Sequence, residues 1–308
     1  MKGDGQPMLT SPITNPGTAI FGSDSQHSND RRSPVVDYYE ETIDDYQTWS
    51  PDGYMHFGMW KPWANPLNRR SMLEAMNDTV FESLELDTAD PLVIGDLGCG
   101  VGAVSKYGSR HYENHFWKAV TICHAQVAYG ATHEPTPNVE MTWGDFGKLP
   151  FNDHTLDAAF FLESICHSRD LQATLREAYR VLKPGAKMVI VDGMLKQPTE
   201  SMSSWSKWLQ QTVANCWAVP QFPVQRDIAS SAIDAGFNIE KTSDLSWAIA
   251  PSVLHSPLLI AMHSIRLIMN RKFSRWKRKH LIGCTLGMLL GMHRHRFGYY
   301  LMTLKKPY

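Results

Sequence analysis

The chain has 308 residues, 43% of them hydrophobic and 20% charged, which allows one large packed domain or one domain with an added cap. Five cysteines (Cys99, Cys123, Cys166, Cys216, Cys284) are an odd number with no C-x-x-C pair, which argues against a disulfide framework or zinc site and for a reducing, cytoplasmic setting. The chain does not open on a basic segment followed by an apolar one, and no uninterrupted apolar run approaches ~20 residues, so neither a secretory leader nor a membrane span is expected.

The net charge of −1 conceals a segregation. Asp244 is the last acidic residue, and residues 245–308 hold 11 of the 30 Lys and Arg. An acidic body with a basic C-terminal segment points to an anionic partner. No nucleic-acid recognition module is visible, which sets nucleic acid aside.

Residues 1–34 are rich in Gly, Pro, Ser, Asn and Asp, the composition of a flexible tail. From Val35 a helical period appears, with Tyr38, Tyr39, Ile43, Tyr46 and Trp49 near 3.6-residue spacing. The loop SPDGYMHFGMW follows, then a helix over residues 71–86. Residues 91–105 read PLVIGDLGCGVGAVS: a short apolar strand, Asp96, then Gly98, Gly100 and Gly102. Glycines there permit positive φ and let a ligand approach the backbone with no Cβ in the way. The spacing D-x-G-x-G-x-G differs from the dinucleotide spacing G-x-G-x-x-G. It resembles the first motif of class I S-adenosylmethionine-dependent methyltransferases. A crossover helix over residues 103–112 would aim its N-terminal amides at the cofactor's carboxylate.

A second strand is expected over residues 119–122. Its end, VTICHAQVAYG, lacks the acidic residue that usually takes both ribose hydroxyls. It resembles the variant of cyclopropane-synthase-like methyltransferases, which implies Gln126 at the ribose with Thr121 beside it. Read without the resemblance, it is a polar helix N-terminus. In MTWGDFGKLPFND, the pair Asp145-Phe146 resembles the adenine-binding segment of the class, whereas an Asp after a strand otherwise reads as a helix cap. A strand over residues 158–162 leads to Glu163-Ser164-Ile165-Cys166-His167, similar to the E-A-T-C-H segment of sterol C-methyltransferases. A helix over 171–182, a Lys183-Pro184-Gly185 turn and a fifth strand follow.

The resemblance to the sterol and tocopherol C-methyltransferase group runs from about Tyr38 to Pro307 and is strongest from Val93 to Asp192. It implies an α/β fold, a doubly wound, mainly parallel seven-stranded Rossmann-like sheet with its last strand antiparallel. It also implies a lid over residues 35–70, a cofactor-binding core over 71–200 and a substrate cap with closing strands over 201–308. S-adenosyl-L-methionine is the implied cofactor, held by Asp96, Gly98, Cys99, Gly100, Thr121, Gln126, Asp145, Phe146 and Tyr46. Glu163 and His167 are the candidate catalytic residues. His56, Trp205, Trp208 and Trp217 are candidates to meet a small lipophilic substrate. In each case a plainer role competes: helix capping for Glu163, core packing for the rings.

C-methylation of a terpenoid, sterol or prenylated ring is the leading expectation. N- or O-methylation of an apolar natural product, or an inactive cofactor-binding scaffold, are the alternatives. No metal-ligand spacing is present. The basic run through Arg271, Lys272, Arg275, Lys277, Arg278 and Lys279, with Phe273 and Trp276 interleaved, reads as a solvated face, a peripheral membrane contact or a site for a substrate anion. A homo-oligomer is compatible with the sequence.

Overall fold

In the computed structural model, residues 33–270 and 274–308 are described, except for the side chains of residues 44–49. The expected tail therefore falls almost wholly outside the described residues, as do Arg271, Lys272 and Phe273 and the side chain of Tyr46.

Seven strands form one sheet in the order β3-β2-β1-β4-β5-β7-β6. They are β1 (Val93–Leu97), β2 (Phe116–Thr121), β3 (Val139–Trp143), β4 (Leu156–Leu162), β5 (Leu182–Leu195), β6 (Asn238–Asp244) and β7 (Phe297–Lys305). The first five are parallel, and β7 runs antiparallel between β5 and β6. Two of these strands depart from expectation. β2 begins three residues early because Trp117 and Ala119 are buried against neighbouring elements. β5 begins at Leu182, and its register against β4 jumps from Leu156↔Leu182 to Ala158↔Lys187. The Lys183-Pro184-Gly185 turn survives inside that jump, with Gly185 at φ +81°.

Ten helices flank the sheet among the described residues: α1 (Pro34–Trp49), α2 (Arg69–Leu84), α3 (Ala103–His111), α4 (His124–Thr132), α5 (Leu171–Val181), α6 (Ser204–Cys216), α7 (Gln225–Ala235), α8 (Ala250–Leu254), α9 (Ser256–Met269) and α10 (Arg275–Met292). Local chemistry sets their ends. The Asn68 side chain accepts the Ser71 N–H and starts α2, and Gly236 at φ +105° ends α7. Asp170 caps α5 through the Ala173 N–H, so that helix makes no use of Glu163 as its cap.

Successive residues of a central strand serve opposite layers. Ile94, Phe160, Val189 and Leu301 face one layer, which includes Phe81 of α2 and Tyr107 of α3. Leu97, Phe161, Ile190 and Met302 face the other, with Leu175 of α5 and Ile228 of α7. A separate cluster joins Leu209 and Val213 of α6 to Leu290 of α10 and reaches Cys166 beside the sheet. Because β1 lies between β2 and β4, the chain leaves it in opposite directions, and the crevice beyond the carboxyl ends of β1 and β4 is where such sheets bind ligands.

One helical stretch stands apart in its composition. α8 and α9 form a stretch, Ala250–Met269, that is long and apolar enough to cross a membrane by length and composition. Counting uninterrupted apolar runs overlooks it, because prolines, serines and histidines punctuate the stretch.

Candidate active site

β1 delivers Asp96 and the glycine turn to the crevice. The Asp96 carboxylate is buried and accepts the Ser105 hydroxyl at 2.7 Å, tying the turn to the first residues of α3; burial pushes it up to about 7. The turn's first two amides, Gly98 and Cys99, both donate to the Val120 carbonyl at 2.9 Å, so the loop is pinned to β2 rather than held open. Gly98 has φ +93°, and a Cβ there would meet Ser164 Cβ at 2.3 Å and Phe146 at 3.2 Å. Gly100, at φ +56°, faces roomier ground: its Cβ would lie 3.0 Å from Met55 Sδ and 3.9 Å from Gln126 Nε2. The Cys99 thiol is pushed well above its ordinary value, by burial first and Asp96 second, which leaves it a neutral wall.

Gln126 stands at the start of α4, nearly fully buried. Its Oε1 accepts the Thr121 hydroxyl at 2.6 Å, and its Nε2 has no protein partner. A buried amide N–H without an acceptor costs about 1–3 kcal/mol, which a ligand hydroxyl or carboxylate would recover. Among the expected cofactor residues, Asp96, Gly98, Cys99, Gly100, Thr121 and Gln126 thus share one crevice, and Phe146 reaches it beside Gly98. Asp145 lies on the surface, its carboxylate accepting the Gly147 N–H at 2.8 Å.

Glu163 closes β4 at φ +52°, a left-handed conformation that costs a non-glycine residue of order 1–3 kcal/mol. Ser164, next in line, donates to the Leu97 carbonyl at 2.6 Å and so joins this turn to the glycine loop. Glu163 Oε1 accepts two hydrogen bonds of 2.6 Å, from the Phe57 amide and from the Tyr299 hydroxyl. The residue is half-buried and keeps accessible surface in the crevice. Desolvation pushes its carboxyl up to about 8, the two hydrogen bonds pull the other way, and Asp192 adds to the rise. Asp192, buried on β5, accepts the Cys166 amide at 3.0 Å and is itself raised to about 7 by burial.

Two expected site residues sit elsewhere in this arrangement. His167 turns from the crevice to α1, where its Nε2 pairs with the Tyr39 hydroxyl at 2.9 Å. Burial lowers its pKa to about 4, so the imidazole is neutral at pH 7. This contact ties the segment after β4 to α1, which the 2.6 Å pair of Tyr38 and His280 ties in turn to α10. His56 is buried in the loop after α1, its Nδ1 on the Phe57 carbonyl at 3.0 Å, and burial lowers it likewise to about 4.

Of the tryptophans, Trp205 and Trp208 stack on each other at 4.9 Å and are about half exposed on α6. Trp217 packs over Gly283 and Gly287 of α10. The reading of residue types missed Tyr299. The signal was faint, a Tyr-Tyr pair inside the last apolar strand. Only the antiparallel insertion of β7 brings its hydroxyl to Glu163.

Comparison with known proteins shows what the chain is similar to. Residues 95–190, from β1 through most of β5, match the family model described as a methyltransferase domain, and the fold around them is the seven-stranded sheet of that class. The chain is 26% identical over 215 residues to 24-methylenesterol C-methyltransferase 2 of Arabidopsis thaliana, a match covering 68% of this chain and 58% of that protein. It is also 26% identical over 224 residues to the O-methyltransferase cnsE of Penicillium expansum, covering 71% and 77%. Among solved structures it resembles geranyl diphosphate C-methyltransferase from Streptomyces coelicolor A3(2), in complex with Mg2+, geranyl diphosphate and S-adenosyl-L-homocysteine, with TM-score 0.63, 18% identity and coverage of 89% and 99%.

Proposed function

We propose that the protein transfers the methyl group of S-adenosyl-L-methionine to a carbon atom of a small lipophilic acceptor, a terpenoid, sterol or prenylated ring. Three features support the cofactor: the positive-φ glycine turn, the unpartnered Gln126 Nε2 as a donor for a ligand oxygen, and Asp96 bracing the loop that would carry the methionine end. Bound there, S-adenosyl-L-methionine supplies an electrophilic methyl on a positively charged sulfur.

The observation that carries the choice of carbon is Glu163. An oxygen or nitrogen acceptor needs position and at most removal of its own proton. An alkene carbon that gains a methyl leaves positive charge on its neighbour, and a proton must then be lost from carbon. Glu163 is held by Phe57 and Tyr299 in strained backbone, one residue from the contact with the glycine loop. With its pKa near 8 it is mostly protonated in the empty site, and a cation beside it favours its ionised form. It is then a carboxylate placed to stabilise the positive charge and take the proton. The sterol relative supports this reading.

The O-methyltransferase relative supports a second reading, in which the acceptor is a hydroxyl on an apolar scaffold. Incubation with methyl-labelled cofactor and a panel of prenyl, sterol, quinone and phenol acceptors separates the two. The first reading expects label on carbon in a prenyl or sterol product. Label found only on oxygen would select the second, and absence of cofactor binding by calorimetry would remove both.

The acceptor's hydrophobicity places its source in a lipid phase, and the described surface carries a feature suited to reach it.

A further inference from the structure

Ala250–Met269 has the composition of a membrane span but not the surroundings of one. At its start the buried Ser252 hydroxyl accepts the Gly58 amide at 2.9 Å, fixing α8 to the loop that holds Glu163 through Phe57. Farther along, His263 and Leu267 are buried against the fold. A helix anchored along one side by the protein can lie on a bilayer but cannot cross it.

The opposite side of α9 is bare. Leu258, Met262, Ile265, Ile268 and Met269 are 65%, 55%, 58%, 62% and 76% exposed. At 100° per residue these five fall on one face and His263 and Leu267 on the other. α9 therefore inverts the usual order of a surface helix and turns large aliphatic side chains outward, a contiguous apolar face of the kind that marks an interaction site.

The surrounding charge narrows the partner. Residues 245–308 contain no carboxylate side chain, and α1, which packs against α9 and α10, carries the carboxylates of Asp37, Glu40 and Glu41. Arg275 and Arg278 stand exposed at the start of α10, and the Lys279 ammonium lies 4.3 Å from the Trp276 ring centroid. Just ahead of α8, Trp247 is 78% exposed and carries the Arg294 guanidinium 3.2 Å from its ring centroid. An apolar face bordered by cations and an indole matches an anionic bilayer surface, where aliphatic side chains enter the acyl boundary and Arg, Lys and Trp remain among headgroups.

We propose that the outward face of α9, bordered by Arg275 and Arg278, docks the protein in the plane of an anionic lipid surface. The docking geometry stands by itself; its use, to admit a lipophilic acceptor beside the Phe57–Glu163 contact, rests on the function proposed above.

Co-sedimentation with vesicles tests it. The wild-type chain should bind phosphatidylcholine vesicles containing phosphatidylserine, bind phosphatidylcholine alone weakly, and lose binding as salt rises. Arg275→Glu with Arg278→Glu should lower affinity for the anionic vesicles roughly 30-fold, at about fivefold for each cation removed. Met262→Glu with Ile265→Glu should abolish binding, with the thermal unfolding midpoint unchanged because both side chains are exposed. Wild-type indifference to phosphatidylserine, or wild-type binding by either double variant, overturns the proposal. So does a dimer in sedimentation velocity that Met262→Glu with Ile265→Glu dissociates, if no vesicle binding accompanies it. Methyl transfer to a detergent-dispersed acceptor should persist in both variants, so its absence would bear on the proposed chemistry and not on the docking.

Discussion

Glu163 and Tyr299 form the hydrogen-bonded pair on which the proposed chemistry turns, and they can be tested apart. The Tyr299 hydroxyl stabilises the ionised form of Glu163, and removing it raises the carboxyl pKa further. For a base, activity rises with pH as the proton leaves. The rising limb of kcat/KM in the wild type should therefore lie near the free-enzyme value of about 8. Tyr299→Phe should move that limb to higher pH and lower kcat about 10- to 100-fold at pH 7, the worth of one hydrogen bond to a charged group. A fall in kcat with an unmoved pH profile would make Tyr299 a packing residue only. Gln126 permits a separate test, because its Nε2 has no partner in the protein. Gln126→Leu should weaken S-adenosylhomocysteine binding by about tenfold in calorimetry and, because the buried Thr121 hydroxyl loses its acceptor, also cost about 1–3 kcal/mol of stability. Unchanged affinity would remove Gln126 from the cofactor site.

At the scale of elements, the glycine turn and the lid meet over the crevice. Gly98 and Gly100 both take positive φ, yet their surroundings differ. Gly98→Ala puts a methyl into Ser164 and should destabilise the fold by about 2–4 kcal/mol, counting φ strain and overpacking together. Gly100→Ala meets only the flexible Met55 and should cost about 1 kcal/mol while still blocking the cofactor. Denaturant unfolding and calorimetry on both variants check this; equal stability losses would mean the Gly100 gap is not a ligand space.

The elements themselves were mostly legible. Apolar periodicity and segment order are local signals, and they placed most helices to within a few residues. The extended β5 was not, because its first residues pair through a register jump that depends on Leu156 across the sheet. The contact His167 makes was not legible for a related reason: an E-S-I-C-H segment shows a histidine near a carboxylate but not the Tyr39 hydroxyl 128 residues earlier that it pairs with. Segment order revealed the crevice and most of the residues around the glycine loop, since these follow strand ends directly. Tyr299 enters from β7, 136 residues away in sequence, and only the sheet order brings it in.

For the whole molecule, the buried titratable groups set a pH window. Asp96, Glu163 and Asp192 have folded pKa values raised to about 7, 8 and 7. Each binds its proton more tightly when folded, so the stability it contributes is complete below about pH 4 and is lost as pH rises through 7 to 8. His56 and His167 are lowered to about 4, so their contribution is complete above about pH 6.5 and is lost as pH falls toward 4. Between about pH 4 and 6.5 the three acids outweigh the two histidines, so these groups should make the cofactor-free chain less stable as pH rises from about 5 to 8, measured as its thermal unfolding midpoint. A midpoint still rising from pH 6 to 9 would contradict these burials. Glu163→Gln should raise the midpoint at pH 9 by removing a charge that burial penalises.

The same substitution gives the most direct test of the central claim. Wild type and Glu163→Gln are compared in single turnover with carbon-13 methyl-labelled S-adenosylmethionine and a prenylated acceptor, and the product is read by NMR. The wild-type chain should yield a new carbon–carbon bond to the labelled methyl, and Glu163→Gln should slow its formation about 10²- to 10⁴-fold while still binding cofactor. A carbon-methylated product formed equally fast by both, or label on oxygen alone, would contradict Glu163 as the base of a carbon methyl transfer.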